Sequence, residues 1–261
     1  MQLFSEFIAS ILVFSLVGGG LWMRRESFSG SYRGSPVWEI RPLDFILFLW
    51  VLLMIMFLLP PVFSSLLIPS DSQGGMTAQV VWISALSVHG PLLAVFAFLG
   101  LTRGSKILGR MSVEGLSWRD SFRKGVTCFI RSAPILFVVI LVWGVLILVA
   151  KELGLPVDES PQQIVVTLME ADSWLWIFLL SFAAVVLAPV SEELLFRGVL
   201  YRYLKSKSTG LYPAAALSGG FFAVIHFHWA ALGPLWALGV LFAVAYEESG
   251  DIRVPIVFHA C

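Results

Sequence analysis

Residues 176–198 read WIFLLSFAAVVLAPVSEELLFRG, an apolar run that leads straight into two adjacent carboxylates, Glu192 and Glu193, and an arginine, Arg197. On membrane-insertion scales a charge at a helix centre costs roughly 2.5–3.5 kcal/mol. Three charges within six positions therefore need a polar place to face. Outward from this stretch the chain keeps the same apolar character. Of its 261 residues 58% are hydrophobic and 13% charged, against about 25% charged in an ordinary soluble domain. Apolar segments lie at about Phe7–Met23, Phe45–Ile68, Ala78–Leu101, Ala133–Ala150, Trp174–Val190, Tyr212–Ala230 and Leu232–Tyr246, and a last one opens at Val254. Most reach or approach the roughly 20 residues that a spanning helix needs.

The pattern predicts an all-α fold: a polytopic membrane helix bundle of about eight transmembrane segments, the last truncated by the end of the given sequence. We treat residues 1–261 as a single multi-pass membrane domain. The first segment has no basic stretch before it and no small-residue cleavage site after it, so it reads as a retained helix. Pro60 and Pro61 predict a kink or an early end in the second segment. After Ser160-Pro161 the stretch PQQIVVTLMEA predicts a short interfacial helix with its proline at the first helical position.

Charge alternates along the connectors. Arg24, Arg25, Arg33 and Arg41 fill the first, and Arg103, Lys106, Arg110, Arg119, Arg123, Lys124 and Arg131 fill the third. The fourth is acidic, with Glu152, Asp158, Glu159, Glu170 and Asp172, and the fifth holds Arg202, Lys205 and Lys207. Lys and Arg favour the cytoplasmic side. This places the basic connectors inside, the N-terminus outside and the PVSEELLFRG motif near the cytoplasmic boundary of a cell membrane. The basic loops are explained as orientation signals, so the partners implied are the lipid bilayer and not nucleic acid. The two cysteines, Cys128 and Cys261, have neither metal-ligand nor CxxC spacing.

On a helix Glu193 and Arg197, four apart, share a face in the favoured order for an ion pair. Glu192 points elsewhere, toward the face of Phe196, and lacks that built-in partner. A carboxylate unpaired in a low-dielectric site gains proton affinity and suits general-base work near neutral pH. The bland alternative gives Ser191 the role of helix N-cap, with both glutamates facing water. Of the four histidines, His226, His228 and His259 lie beyond the motif in apolar runs. Intramembrane histidines face the protein interior or a water-filled cavity. FFAVIHFHWA puts Phe222 and His226 on one face and His228 nearly opposite. His89 reads as a hydrogen-bonded structural residue, and His228 is open between the two roles.

Taken in order, EELLFR fits EExxxR, FAVIH fits FxxxH, and FHAC resembles the start of an HxxxN motif. Together they resemble the CAAX prenyl protease type II family, also called the CAAX protease and bacteriocin-processing (Abi) family of glutamate intramembrane endopeptidases. The resemblance covers about residues 174–261, the family-like catalytic core. It implies that Glu192 activates water with His226, that Glu193 and Arg197 support them together with Phe222 of the second motif, and that His259 stabilises the oxyanion beside a following asparagine. The position of that asparagine lies beyond Cys261. The implied substrate is a peptide or protein in or near the membrane, prenylated or otherwise membrane-associated. No cofactor is required. In a zinc variant, Glu192, His226 and His259 supply three ligands and leave one open position, but the HExxH helix is missing. The alternative from another class is a non-catalytic membrane protein, an immunity, scaffold or transport protein that uses the same polar cluster for binding.

Overall fold

A computed structural model describes residues 34–68, 77–102, 110–112, 115–157, 160–207 and 210–261. The expected first segment, Phe7–Met23, lies outside them. Among the described residues the structure is eight α-helices with no strand. They are α1 (Pro42–Leu67), α2 (Ala78–Thr102), α3 (Trp118–Glu152), α4 (Gln163–Glu170), α5 (Trp174–Lys207), α6 (Leu211–Val224), α7 (Leu232–Ser249) and α8 (Arg253–Ala260). Helices α1, α2, α3, α5 and α7 are long and apolar enough to cross a membrane. The protein is a multi-pass membrane protein.

Several boundaries differ from the sequence reading, each for a physical reason. Helix α1 continues through Pro60 and Pro61 to Leu67, so the expected early end does not occur. In lipid, unfolding the last turns would expose backbone groups with no water to bond, so a helix runs on past its prolines. Helix α3 starts at Trp118, not near Ala133. The Ser117 hydroxyl caps it by accepting from the Asp120 N–H at 3.1 Å, so Arg119, Arg123, Lys124 and Arg131 sit on a helix and not in a loop. Helix α4 starts at Gln163, two residues later than its proline suggested. The sixth segment stops at Val224, and His226 lies in the turn beyond it.

The lipid-facing and inward-facing surfaces are inverted relative to a soluble protein. Leu43, Trp50, Phe98, Leu141, Leu146 and Phe178 are exposed. The most apolar stretch of α3 has none of its residues buried inside the protein. The buried groups include Glu193, Arg197, Arg202, Glu247 and Asp251. Polar side chains are thus collected where they partner one another, as a low-dielectric solvent demands.

Helices α1 and α2 pack as a pair. Helix α2 lies against α5, α6 packs on α7, and α8 is held between α3 and the middle of α5. At the α6–α7 crossing, Gly219 and Gly239 meet so closely that a Cβ on Gly239 would stand 2.5 Å from the Gly219 Cα. Helix α7 ends at Gly250 in the left-handed region, φ 65°, its N–H bonded to the Tyr246 carbonyl. The next residue, Asp251, accepts from Ser112 at 3.0 Å, Ser121 at 3.2 Å and the Arg253 Nε at 2.9 Å. That node turns the chain back so that α8 runs alongside α3 and α5. On another side, Arg202 donates to the Pro36 carbonyl at 3.0 Å, and Lys205 bridges Glu247 at 2.7 Å and the Ser35 carbonyl at 2.9 Å. These bonds fasten the segment that leads into α1.

Candidate active site

Helix α5 carries the motif, and its backbone is irregular there. The segments Ala183–Leu187 and Leu194–Tyr201 are π-helical, and Ala188–Glu193 between them is α-helical. Pro189 lacks an N–H and sits just after the first π segment, where the i→i−4 ladder is already broken. Such π segments recur at functional sites because they shift side chains off the regular α-helical positions. Ser191 lies inside this continuous helix and is fully buried. It does not cap a helix start, so the bland reading of the glutamates fails at that point.

Glu193 and Arg197 form the expected pair at 2.8 Å, both side chains fully buried. Arg197 also donates to the Gly239 carbonyl at 2.7 Å, which the close α6–α7 crossing brings within reach. Its guanidinium carbon stands 4.9 Å and 5.0 Å from the ring centres of Phe222 and Phe242, in cation–π range. The pair leaves Glu193 Oε2 and Arg197 Nε buried with no hydrogen-bond partner among the described residues.

The same Glu193 Oε1 that takes Arg197 also lies 3.0 Å from His259 Nδ1. No local pattern announces this contact, because 66 positions separate the two residues. His259 stacks on Phe242, centroids 4.7 Å apart at 23°. Its other nitrogen, Nε2, is 3.9 Å from Glu192 Oε2. From the opposite chain segment His226 places its Nε2 4.0 Å from the same oxygen. His226 Nδ1 lies 2.6 Å from the Phe222 carbonyl. A carbonyl only accepts, so Nδ1 carries a proton and the ring turns its Nε2 to Glu192. By the same logic His259 donates Nδ1–H to the Glu193 carboxylate. Both rings are held through Nδ1, with Nε2 facing one carboxylate oxygen.

Glu192, Glu193, Arg197, Phe222, His226 and His259 are therefore brought to one place. His228 is not among them. Its Nδ1 accepts from the Ala231 N–H at 3.1 Å, and its Nε2 donates to the Ser160 carbonyl at 2.8 Å. It is a structural cap that ties two connectors together. His89 is a hydrogen-bonded residue, as expected, and it stands close to the cluster. It bonds Ser191 through Nδ1 at 2.7 Å and lies within electrostatic range of Glu192, His226 and His259. The available signal was its position within an apolar span. Phe242 carried no signal, being one apolar residue in an apolar helix. Among the described residues, no three His, Cys, Asp or Glu side chains form a group arranged to hold a metal ion.

Residues 174–261 match the family model described as Rce1-like, type II CAAX prenyl endopeptidase. The last third of the chain is similar to that family. The matched residues span α5 to α8 and include Glu192, Glu193, Arg197, Phe222, His226 and His259, whereas His89 and the whole of α1 to α4 precede them. The family is one of membrane proteases, which matches the family expected from the three ordered motifs. Searches of curated proteins and of solved structures find no match.

Proposed function

We propose that this chain is an intramembrane endopeptidase that hydrolyses a peptide bond with a water activated by Glu192. The observation that carries the reading is the convergence of His226 Nε2 and His259 Nε2 on one Glu192 oxygen, at 4.0 and 3.9 Å, among the residues similar to the Rce1-like family. These gaps are too long for direct hydrogen bonds and are the separations that one bridging water spans.

In the proposed step the water donates one O–H to Glu192 and the other to the His226 Nε2 lone pair. Its oxygen attacks the scissile carbonyl carbon as Glu192 takes the proton. The new C–O bond makes a tetrahedral oxyanion. His259 donates to that oxyanion from Nε2, which requires the imidazolium form because Nδ1–H is already committed to Glu193. The Glu193 carboxylate offsets that positive charge, as a carboxylate behind a catalytic histidine does. Glu192 then passes its proton to the leaving amine nitrogen, the C–N bond breaks as the oxyanion re-forms the carbonyl, and the resulting carboxylic acid gives its remaining proton to the amine, so that a carboxylate and an ammonium are released. The step runs on the side chains alone.

The substrate proposed is a peptide or protein in or near the bilayer, prenylated or otherwise membrane-associated. The site opens toward the cytoplasmic side of a cell membrane, on the charge asymmetry of the connectors. The test is cleavage of membrane-presented peptides by the purified chain and by Glu192→Gln. Cleavage lost in the variant with its fold intact supports the reading. Undiminished cleavage in the variant removes the glutamate mechanism, and a folded wild-type chain that cleaves nothing returns the non-catalytic alternative.

A further inference from the structure

His89 lies on α2, outside the matched residues 174–261, yet its ring reaches the turn that carries the proposed base. We propose that His89 is a positioning residue of the active site, holding Glu192 in register through Ser191. The proposal rests on the assignment of Glu192 as the base.

The bonding pattern is directional. Ser191 Oγ stands 3.2 Å from the Ala188 carbonyl and 2.7 Å from His89 Nδ1. The carbonyl can only accept, so the hydroxyl donates to it, and the serine oxygen receives Nδ1–H from His89. Ser191 is fully buried, and Glu192 is the next residue. The six-residue stretch Ala188–Glu193 has π-helical backbone on both sides and a proline within it. A regular helix fixes the rotation of each residue through its own ladder, but here that ladder changes register before and after the glutamates. An anchor from a neighbouring helix is then what sets the angle at which Glu192 projects. Three successive side chains are each committed. Ser191 goes to α2 through His89, Glu192 faces the two histidines, and Glu193 goes to Arg197 and His259. His89 thus supplies from outside the matched residues the contact that orients their central carboxylate. Small misplacements of a reacting group are costly, with 1 Å worth about 10²-fold in rate.

The test uses the full chain in detergent or nanodiscs, with His89→Leu, His89→Asn, Ser191→Ala and the His89→Leu/Ser191→Ala double variant. Asparagine places an amide N–H near the position of Nδ1 and keeps the bond to Ser191. In steady-state cleavage, His89→Leu and Ser191→Ala should each lower kcat about 10- to 100-fold with KM nearly unchanged. The double variant should be no worse than either single one, and His89→Asn should recover most of the loss. A second readout needs no turnover: the rate at which a hydrophobic carbodiimide labels Glu192, followed by mass spectrometry. A Glu192 no longer held against its histidines is more open to the reagent, so labelling should rise several-fold in His89→Leu and Ser191→Ala but not in His89→Asn. Wild-type kinetics and labelling in His89→Leu overturn the proposal, as does a His89→Asn variant no better than His89→Leu in both readouts. If His89→Leu fails to fold, Ser191→Ala decides by the same two measures. Unimpaired cleavage in Glu192→Gln would instead remove the glutamate mechanism, and labelling would still decide whether His89 holds Glu192.

Discussion

Glu193 and His259 are joined through a single carboxylate oxygen that also receives Arg197, at 3.0 Å and 2.8 Å respectively. Glu193 is thus the hub of the site, although Glu192 is the group proposed to do the chemistry. It pins one histidine, pairs with a buried guanidinium and leaves its neighbour to face His226 and His259.

The two glutamates should therefore separate on substitution. Glu192→Gln should abolish turnover with an unchanged melting temperature, because the shape is kept and Glu192 makes no direct hydrogen bond within the site. Glu193→Gln should lose stability as well, by about 3–5 kcal/mol, the typical cost of stranding one partner of a buried pair. Thermal unfolding in detergent beside peptide cleavage checks both. A Glu193→Gln variant as stable as wild type would contradict the burial of the pair.

The approach of α6 to α7 should tolerate no side chain. A methyl added at Gly239 would meet the Gly219 Cα at 2.5 Å, and one added at Gly219 would meet the Val240 backbone nitrogen at 2.9 Å. Gly239→Ala should destabilise by about 1–3 kcal/mol. It should also impair cleavage, because the Gly239 carbonyl is an Arg197 acceptor. At Gly100, where nothing lies within 4 Å of an added Cβ, alanine should be harmless. The comparison is the melting temperature of the three variants with wild type.

Acid should loosen the connection between α7 and α8. Burial pushes the Asp251 carboxyl up, but the hydrogen bonds from Arg253 and Ser112 outweigh it and hold it below the ordinary carboxylate range. Its contribution to stability is then fully present above the unfolded carboxylate value, about 3.9, and is lost as pH falls through the lower folded value. Wild type should lose more thermal stability between pH 7 and pH 3 than Asp251→Asn does. Equal losses in the two proteins would mean that Asp251 is not held ionised by this network.

Orientation can be read by labelling. In a background of Cys128→Ala and Cys261→Ser, a cysteine at Arg110 should be shielded from an impermeant reagent in intact cells, and a cysteine at Leu155 should react. The opposite pattern would reverse the topology proposed from the charge alternation.

Much of this molecule was legible from its residues because the causes were local. Apolar length located α1, α2, α5 and α7. The four-residue spacing of Glu193 and Arg197 gave their pair, since neighbours on one helix face need no tertiary information. The order of the three motifs pointed to the family later matched at residues 174–261. What the residues could not disclose depended on how one helix is rotated and how closely it approaches another. The π-helical segments on either side of Ala188–Glu193 and the meeting of Gly219 with Gly239 are features of packing, and no periodicity announces them. They decide that Glu193 holds His259, that Phe242 stacks on His259, and that His89 of α2 reaches Ser191. Pro60 and Pro61 show the same limit, since the residues alone left a kink and an early end both open, and the helix runs on through them to Leu67. Composition and spacing determined that this chain is a membrane helix bundle bearing paired charges. Tertiary packing decided which face of each charged residue meets which partner, because a side chain's reach of a few ångströms is short compared with the displacement made by a single change of helical register.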